Sequence, residues 1–171
     1  MNIDIKTLYK NAVVVIDTCC LVENIKGCQK FFINSVPYLK ETGSRIQIAY
    51  KCIQELYKIR NDVSLPEIKR KSAEEAIEAI NIMANEGLLD VRGQESDSFG
   101  DSIILQNLIR YFVRYNVVLI TQDRGLASDA QCINNFISVK SRKRKKIIVK
   151  NLDRNGDIID IIPKKKENCV W

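Results

Sequence analysis

Short runs of branched apolar residues recur along the 171-residue chain and alternate with segments of helical spacing. Val13–Ile16 and Val117–Ile120 are the clearest runs, and neither contains the polar residues that a strand with one solvated face would show. Such runs are typical of strands buried inside a parallel sheet. Because parallel strands need a crossover connection, the helical segments between them indicate βαβ units. The pattern predicts an α/β protein with three layers, α/β/α, around a central parallel sheet.

Helix boundaries follow from the periodicity together with glycine and proline. A helix is predicted over 28–42, where apolar residues recur at helical spacing up to Gly43. Another begins at Pro66 and closes at Gly87, since proline suits a first helical turn and glycine suits the position after the last. Further strands are predicted over 46–50 and 88–91, and further helices over 52–60, 99–114 and 124–132.

The C-terminal part of the chain carries a hairpin signal. Asn155-Gly156 separates two apolar runs, over 147–152 and 158–162, and Asn-Gly between such runs favours a two-stranded β-hairpin. This C-terminal β-hairpin either extends the sheet or forms a small appendage. We therefore expect a main domain over 1–137 and an extension over 138–171 that packs on the same domain.

Missing residue types exclude several kinds of chemistry. The chain contains no histidine, which rules out histidine triads, histidine general bases and histidine-ligated zinc. Its six cysteines include no C-x-x-C pair, so a thiolate zinc site is not expected. No apolar run approaches the ~20 residues that span a bilayer, and the N-terminal residues do not resemble a secretory signal. We expect a cytoplasmic, intracellular protein with reduced thiols.

The formal net charge of +6 is concentrated in one segment. Residues 1–137 carry 16 basic and 17 acidic side chains, whereas residues 138–150 carry seven basic side chains and no acidic one. Such a basic stripe is a candidate contact for a nucleic-acid backbone, because it releases counterions from a polyanion. The alternative is a solvated surface loop, the more common role of a charge run. The nucleic-acid-binding candidates are Arg124, Lys140, Arg142, Lys143, Arg144, Lys145 and Lys146.

Four acids stand at comparable places in the predicted fold. Asp17 and Asp123 follow the two apolar strand runs, while Glu55 and Asp101 lie near the starts of predicted helices. Ligands of open parallel sheets bind outside the carboxyl ends of the strands, so these acids are expected to converge there. Converging carboxylates repel one another unless a cation binds, and their oxygens suit Mg²⁺ or Mn²⁺. Taken singly, each acid also has an ordinary structural role, as a turn residue, a helix-dipole partner or a solvated helix residue.

In order and spacing these residues resemble the acidic signature of PIN-domain nucleases, over roughly residues 12–135. The resemblance implies an α/β/α fold and divalent-metal-dependent cleavage of RNA, less often of DNA. It also implies that the four acids hold the metal and that two hydroxyls help to orient the acids or the attacked phosphate. The catalytic candidates are Asp17 with Thr18, Glu55 in CIQEL, Asp101 in FGDSIILQNL, and Thr121 with Asp123 after VVLI.

The leading hypothesis is a metal-dependent endoribonuclease with Mg²⁺ or Mn²⁺ as cofactor and single-stranded or structured RNA as substrate. Two alternatives stay open at this point, a non-catalytic RNA-binding module on a PIN-like fold and the toxin of a toxin–antitoxin pair. The corresponding candidate partners are a second copy of the chain, an antitoxin or a processing complex. No ATPase P-loop motif is present in the sequence.

Overall fold

The computed structural model describes residues 5–96, 100–137, 145–162 and 164, without the side chains of residues 135–137. Helices and strands alternate along these ranges, as the apolar pattern predicts. The helices are α1 (Ile5–Asn11), α2 (Thr18–Glu23), α3 (Ile25–Thr42), α4 (Tyr50–Asn61), α5 (Glu67–Asn85), α6 (Gly100–Phe112) and α7 (Arg124–Ile137). The strands are β1 (Ala12–Ile16), β2 (Ile46–Ala49), β3 (Leu89–Arg92), β4 (Asn116–Ile120), β5 (Ile147–Leu152) and β6 (Ile158–Asp160).

The strands form one sheet in the order β3-β2-β1-β4-β5-β6. The first five strands are parallel and β6 pairs antiparallel with β5, so both the parallel sheet and the hairpin are confirmed. Because β5 pairs along β4, the hairpin extends the sheet and is not a separate appendage. The strands after residue 138 thus join the sheet of the main domain, while a domain division at 137 and 138 stays a prediction.

The direction of chain travel reverses next to β1. From β1 the chain moves to β2 and β3 on one side, whereas β4 and β5 lie on the other side. Since parallel crossovers are right-handed, the helices of the two halves cover opposite faces of the sheet and produce the predicted three layers. The loops after β1 and β4 therefore part from each other at the edge where the parallel strands end, which we call the carboxyl edge. Such a switch point is where open α/β sheets bind ligands.

The apolar runs that predict the strands also build the core. Val14, Val15 and Ile16 are buried in β1, and all four residues from Val117 to Ile120 are buried in β4. Helices α3 and α5 end where glycine follows them, since Gly43 and Gly87 adopt left-handed conformations with φ of 66° and 68°. In the part of the chain that the structure describes, no helix is both long and apolar enough to cross a membrane.

Two short helices, α1 and α2, are absent from the sequence prediction. Helix α2 has only six residues, TCCLVE, and most of them have modest helix propensity. The segment is too short to show an apolar pattern of helical spacing. It forms because the side chain of Asp17, at its N-cap, accepts a hydrogen bond from the backbone N–H of Thr18. The same aspartate that the sequence marks as a site residue thus starts the helix that leaves the carboxyl edge.

Candidate active site

Asp17 is a buried acid at the carboxyl edge, directly after β1, with a side chain only 5% exposed. Its Oδ1 accepts a hydrogen bond of 2.7 Å from the backbone N–H of Thr18. Its Oδ2 accepts one of 2.8 Å from the hydroxyl of Thr121 and one of 2.7 Å from the thiol of Cys19. Burial raises the pKa of Asp17, and these hydrogen bonds oppose that rise because they favour the charged form. The carboxylate is therefore held in one orientation by three donors.

Thr121 connects the ends of the two central strands. It follows β4 directly, is fully buried, and donates its hydroxyl to Asp17 while accepting a hydrogen bond of 2.9 Å from the backbone N–H of Asp123. A backbone bond of 3.0 Å from Asp17 N–H to the carbonyl of Ile120 adds a second link between the strand ends. The predicted pairing of Thr121 with the acids is thus a direct contact with Asp17.

Asp123 has a structural role as well as a place at the site. Its Oδ1 accepts hydrogen bonds from the backbone N–H groups of Gly125, at 2.5 Å, and Leu126, at 3.0 Å. It therefore caps the N-terminus of α7, where a negative charge is favourable. The side chain is exposed at the carboxyl edge, and its negative charge acts on Asp17 and Asp101. Asp123 therefore both caps α7 and contributes negative charge to the candidate site.

Glu55 reaches the site from α4. It lies in the second turn of that helix, slightly further along than the sequence predicts, and its Oε2 accepts a hydrogen bond of 2.9 Å from the hydroxyl of Thr18. Helix α6 comes so close that a Cβ on Gly100 would stand 2.8 Å from Glu55 Oε1. The missing side chain at Gly100 lets the first turn of α6, with Asp101, approach the Glu55 carboxylate.

Asp101 is exposed in the first turn of α6, as predicted. Partial burial, followed by the negative charges of four other acids, raises the pKa of Asp101. Among the described residues, none donates a hydrogen bond to Asp101 or forms an ion pair with it. We call the five acids of this neighbourhood the acid cluster. Its members are Asp17, Glu55, Asp101, Asp123 and Asp129.

The structure thus places the four acids predicted from the sequence within electrostatic range of one another, together with Asp129 of α7. The sequence shows Asp129 only as an acidic residue within the apolar half of α7, between Ala127 and Ala130, which are buried in the structure. A single acid in a helix carries little information when the position of the helix is unknown, so the sequence does not distinguish Asp129 from other helical acids. Asp97, another acid of this region in the sequence, lies outside the described residues.

Comparison with known proteins identifies the family of the chain. The family model described as the PIN domain matches residues 14–135, a range that includes every member of the acid cluster. The chain belongs to the PIN-domain family. PIN domains are in general nucleases that act on nucleic acid, and most use divalent metal ions. No curated protein and no solved structure matches this PIN domain significantly.

The donor chemistry of the cluster suits a divalent ion, although the side chains are not drawn together around one point. In the described ranges, no group of three or more acids or thiols is placed closely enough to hold a metal ion. The cluster nevertheless concentrates carboxylates and hydroxyls, the oxygen donors that Mg²⁺ and Mn²⁺ prefer. The negative charge on Asp101, without a described hydrogen-bond donor, is the kind of charge that a bound cation compensates.

Cys19 is a second site residue that the sequence analysis misses. Besides donating to Asp17, its sulfur accepts a hydrogen bond of 3.1 Å from the backbone N–H of Gln122 and lies 3.2 Å from Thr121 Oγ1. It is a free thiol and is only partly buried. The sequence shows two adjacent cysteines without a recognisable motif, and only the helical turn of α2 directs Cys19 back to the end of β4.

Of the described basic candidates, Arg124 directly follows Asp123 at the carboxyl edge, and the two lysines lie elsewhere. The Arg124 side chain donates a 2.8 Å hydrogen bond to the carbonyl of Ile162, and its own carbonyl accepts one of 3.1 Å from Lys164 N–H. Lys145 and Lys146 directly precede β5. Since β5 runs parallel to β4, they lie at the opposite, amino edge of the sheet. The remaining candidates, Lys140, Arg142, Lys143 and Arg144, lie outside the described residues.

The distance between these two lysines and the carboxyl edge is about the length of one strand. Six residues of β5 span about 20 Å at the usual rise of a β-strand. Lys146 is anchored at the amino edge, where its backbone N–H donates to Asn116 Oδ1 at 3.1 Å and its carbonyl accepts from Val117 N–H at 2.9 Å. A role of the stripe in RNA binding stays a prediction, and for Lys145 and Lys146 it requires a substrate that reaches both edges.

Proposed function

We propose that this PIN domain is an endoribonuclease that hydrolyses RNA phosphodiester bonds at the acid cluster with Mg²⁺ or Mn²⁺. The observation that carries the proposal is the environment of Asp101. Partial burial and then the negative charges of four other acids raise the pKa of Asp101, and none of the described residues forms a hydrogen bond or an ion pair with it. Uncompensated charge of this kind is unfavourable for folding, so its presence supports a function that requires it.

Each predicted site residue has a role in this proposal. Asp17, Glu55, Asp101 and Asp123 would hold the ion, with Asp17 fixed by its three donors. When bound, a divalent ion neutralises charge on the phosphate and activates a water for hydrolysis. Thr18 and Thr121 orient Glu55 and Asp17 through the hydroxyl contacts at 2.9 Å and 2.8 Å. Without histidine in the chain, proton transfer falls to the carboxylates.

The raised pKa of Asp101 gives the proposed site a pH dependence. A carboxyl group that is protonated cannot serve as an anionic ligand, so metal binding weakens as the pH falls through its pKa. Because the pKa of both Asp17 and Asp101 is raised, this loss occurs at higher pH than for ordinary aspartates. We therefore expect cleavage to fall on the acidic side of neutrality and to be restored when the pH is raised.

The test is cleavage of labelled RNA, single-stranded and structured, by the purified protein with Mg²⁺, Mn²⁺ or EDTA. We expect internal cleavage with either ion, none in EDTA, and a loss of at least about 100-fold in Asp101→Asn. The matched control is Asp157→Asn, which removes the same charge from the exposed β5–β6 turn. Equal activity in Asp101→Asn and Asp157→Asn contradicts the assignment of the site.

The same assay separates the alternatives. RNA binding without cleavage in any metal supports the non-catalytic module, whereas cleavage that a co-expressed neighbouring protein suppresses supports a toxin. Nothing in the described contacts favours either alternative over the nuclease. RNA is therefore the proposed substrate. Whether the partner is an antitoxin, a processing complex or a second copy of the chain is decided by experiment.

A further inference from the structure

A polar cleft of about 460 Å³ lies beside α6, the helix whose first turn carries Asp101. No acidic side chain lines it, in contrast to the acid cluster at the start of the same helix. Its polar lining consists of Arg92, Gln94, Gln106, Asn107, Arg110 and Tyr111. We call it the α6 cleft.

The α6 cleft lies further along α6 than Asp101 and on a different side of the helix. Arg110 lies four residues after Gln106 and three after Asn107, which places the three side chains on the same side of α6. At 1.5 Å per residue, Gln106 lies about 8 Å and Arg110 about 14 Å beyond Asp101 along the helix axis. At about 100° per residue, these three side chains lie about 120–180° around α6 from Asp101. A nucleic-acid strand that leaves the acid cluster therefore has to pass around α6 to reach the cleft.

One wall of the cleft is held in place by hydrogen bonds. The guanidinium of Arg92 donates to Asp90 at 2.7 Å and to Gln47 Oε1 at 2.9 Å. The hydroxyl of Tyr111 donates to the same Gln47 oxygen at 3.0 Å. Arg92 and Tyr111 thus form a fixed wall whose hydrogen-bonding capacity is largely used within the protein.

Arg110, in contrast, is an exposed arginine that makes no hydrogen bond or ion pair with any described residue. A guanidinium with free donors binds a phosphate through two parallel hydrogen bonds. The neighbouring amides of Gln106 and Asn107 offer both donors and acceptors, the groups that read the edges of unpaired bases. The cleft therefore offers a cation for the phosphate of a nucleotide and two amides for its base, and no acidic side chain lines it.

We propose that the α6 cleft binds a nucleotide of the RNA strand that flanks the scissile phosphate. Arg110 contacts its phosphate, and Gln106 and Asn107 contact its base. The inference rests on the proposed function, because it names the path that the substrate takes away from the acid cluster. It also places a phosphate contact on α6, the helix that carries Asp101.

Binding in EDTA tests the cleft independently of cleavage. The measurement is fluorescence anisotropy of a labelled single-stranded RNA of about 12 nucleotides, a length typical of single-strand sites. We expect Arg110→Gln to bind about tenfold more weakly, the usual effect of losing a charge-assisted hydrogen bond. The slope of log affinity against log salt should fall by about 0.7, the loss of one single-strand phosphate contact.

The chain offers a matched control in Arg114→Gln. Arg114 is exposed in the turn after α6, one helical turn beyond Arg110, and does not line the cleft. The same charge is removed there, so we expect its affinity to stay within about twofold of wild type. Equal losses of RNA affinity in the two variants contradict RNA binding in the cleft, because the loss is then explained by the change in net charge alone.

Base contacts need their own readout. We expect Gln106→Ala and Asn107→Ala to change which bases are preferred at a fixed distance from the cut in a randomised RNA, while Arg114→Gln keeps the wild-type preference. Wild-type cleavage with an unchanged preference in both variants overturns the base contact. A protein that neither binds nor cleaves RNA overturns the cleft and the proposed function together. Arg110-dependent binding without cleavage supports the cleft and contradicts only the nuclease activity.

Discussion

The thiol of Cys19 donates a 2.7 Å hydrogen bond to Oδ2 of Asp17, the buried acid at the end of β1. The sulfur also accepts a hydrogen bond from the backbone N–H of Gln122, in the loop after β4. Cys19 therefore joins the two loops that part at the switch point of the sheet, and it does so through the carboxylate that the proposed metal requires.

Cys19→Ala is expected to weaken Mn²⁺ binding by about tenfold, the usual effect of losing a partner of a metal ligand. Since the Cys19 hydrogen bond lowers the pKa of Asp17, its loss raises that pKa further. The pH at which Mn²⁺ binding is lost should then move upwards. Isothermal titration of the protein with Mn²⁺ at several pH values measures both effects.

Cys19→Ser is the matched variant, because a hydroxyl can donate the same hydrogen bond. Restoration of Mn²⁺ affinity and of the pH profile by serine supports a positioning role of Cys19. If alanine and serine behave alike at equal thermal stability, the hydrogen bond to Asp17 has no such role.

Asp101→Asn is expected to make the metal-free protein more stable at neutral pH. A carboxyl group whose pKa is raised on folding stabilises the fold below its unfolded pKa, and this contribution is lost as pH rises through the folded pKa. For Asp101 the loss begins above about pH 3.8, its ordinary pKa, so the charged form is unfavourable at pH 7. Because the side chain is exposed, we expect a rise in Tm of only about 1–3 °C.

Thermal melts in EDTA at pH 7 and near pH 4 check the sign. The difference between Asp101→Asn and wild type should shrink towards the lower pH, because a larger fraction of the Asp101 carboxyl groups is protonated there. A variant that melts below wild type at pH 7 contradicts the mutual repulsion of the acid cluster.

Mn²⁺ is expected to raise the Tm of the wild-type protein. An ion that binds only the folded state at 100 times its Kd adds about 2.7 kcal/mol, which corresponds to about 5–10 °C for a chain of this size. Asp101→Asn should lose most of this rise, while the exposed control Asp157→Asn keeps it. A rise of equal size in all three proteins points to binding outside the acid cluster.

The parts of the fold that sequence reasoning recovers are those in which residue type alone determines the environment. Val13–Ile16 and Val117–Ile120 read as buried strands because only a doubly covered sheet accommodates uninterrupted branched apolar residues. Asn155-Gly156 predicts the turn between β5 and β6 because few residue pairs suit a tight hairpin. The positions of Asp17 and Asp123 follow from the rule that parallel strands end at a common edge, whereas a metal-binding role of the four acids stays a prediction.

The parts that it misses depend on geometry between distant residues. Helix α2 forms around the Asp17 cap, and Asp129 joins the acid cluster only through the orientation of α7. The positive charge of Lys145 and Lys146 suggests a role beside the acids in RNA binding. The two lysines nevertheless lie at the amino edge, because β5 runs parallel to β4. Strand order and direction are not visible in composition, so the sequence could not separate the two edges.

Gly100→Ala is expected to damage the site more than the fold. An added Cβ would stand 2.8 Å from Glu55 Oε1, the end of a side chain that can move aside. The movement costs little stability, and alanine is better than glycine in a helix by about 1 kcal/mol. Displacement of Glu55 breaks its contact with Thr18, so we expect about tenfold weaker Mn²⁺ binding with Tm within about 3 °C of wild type.

Ser102→Ala is the control, since Ser102 is exposed in the same turn of α6. Titration with Mn²⁺ and a thermal melt are needed for both variants. Normal Mn²⁺ binding in Gly100→Ala shows that the close approach of α6 to Glu55 has no part in the site.

Lys145 and Lys146 should affect RNA binding only when the RNA is long. The two lysines lie at the amino edge, about 20 Å from the acid cluster along β5. An RNA of about four nucleotides, the lower limit of single-strand sites, fits the carboxyl edge alone. We therefore expect the double variant Lys145→Gln, Lys146→Gln to bind this short RNA like wild type and to bind a structured RNA several times longer more weakly. Anisotropy titrations of both RNAs in EDTA measure the difference, and an equal loss for the two lengths contradicts a contact at the far edge.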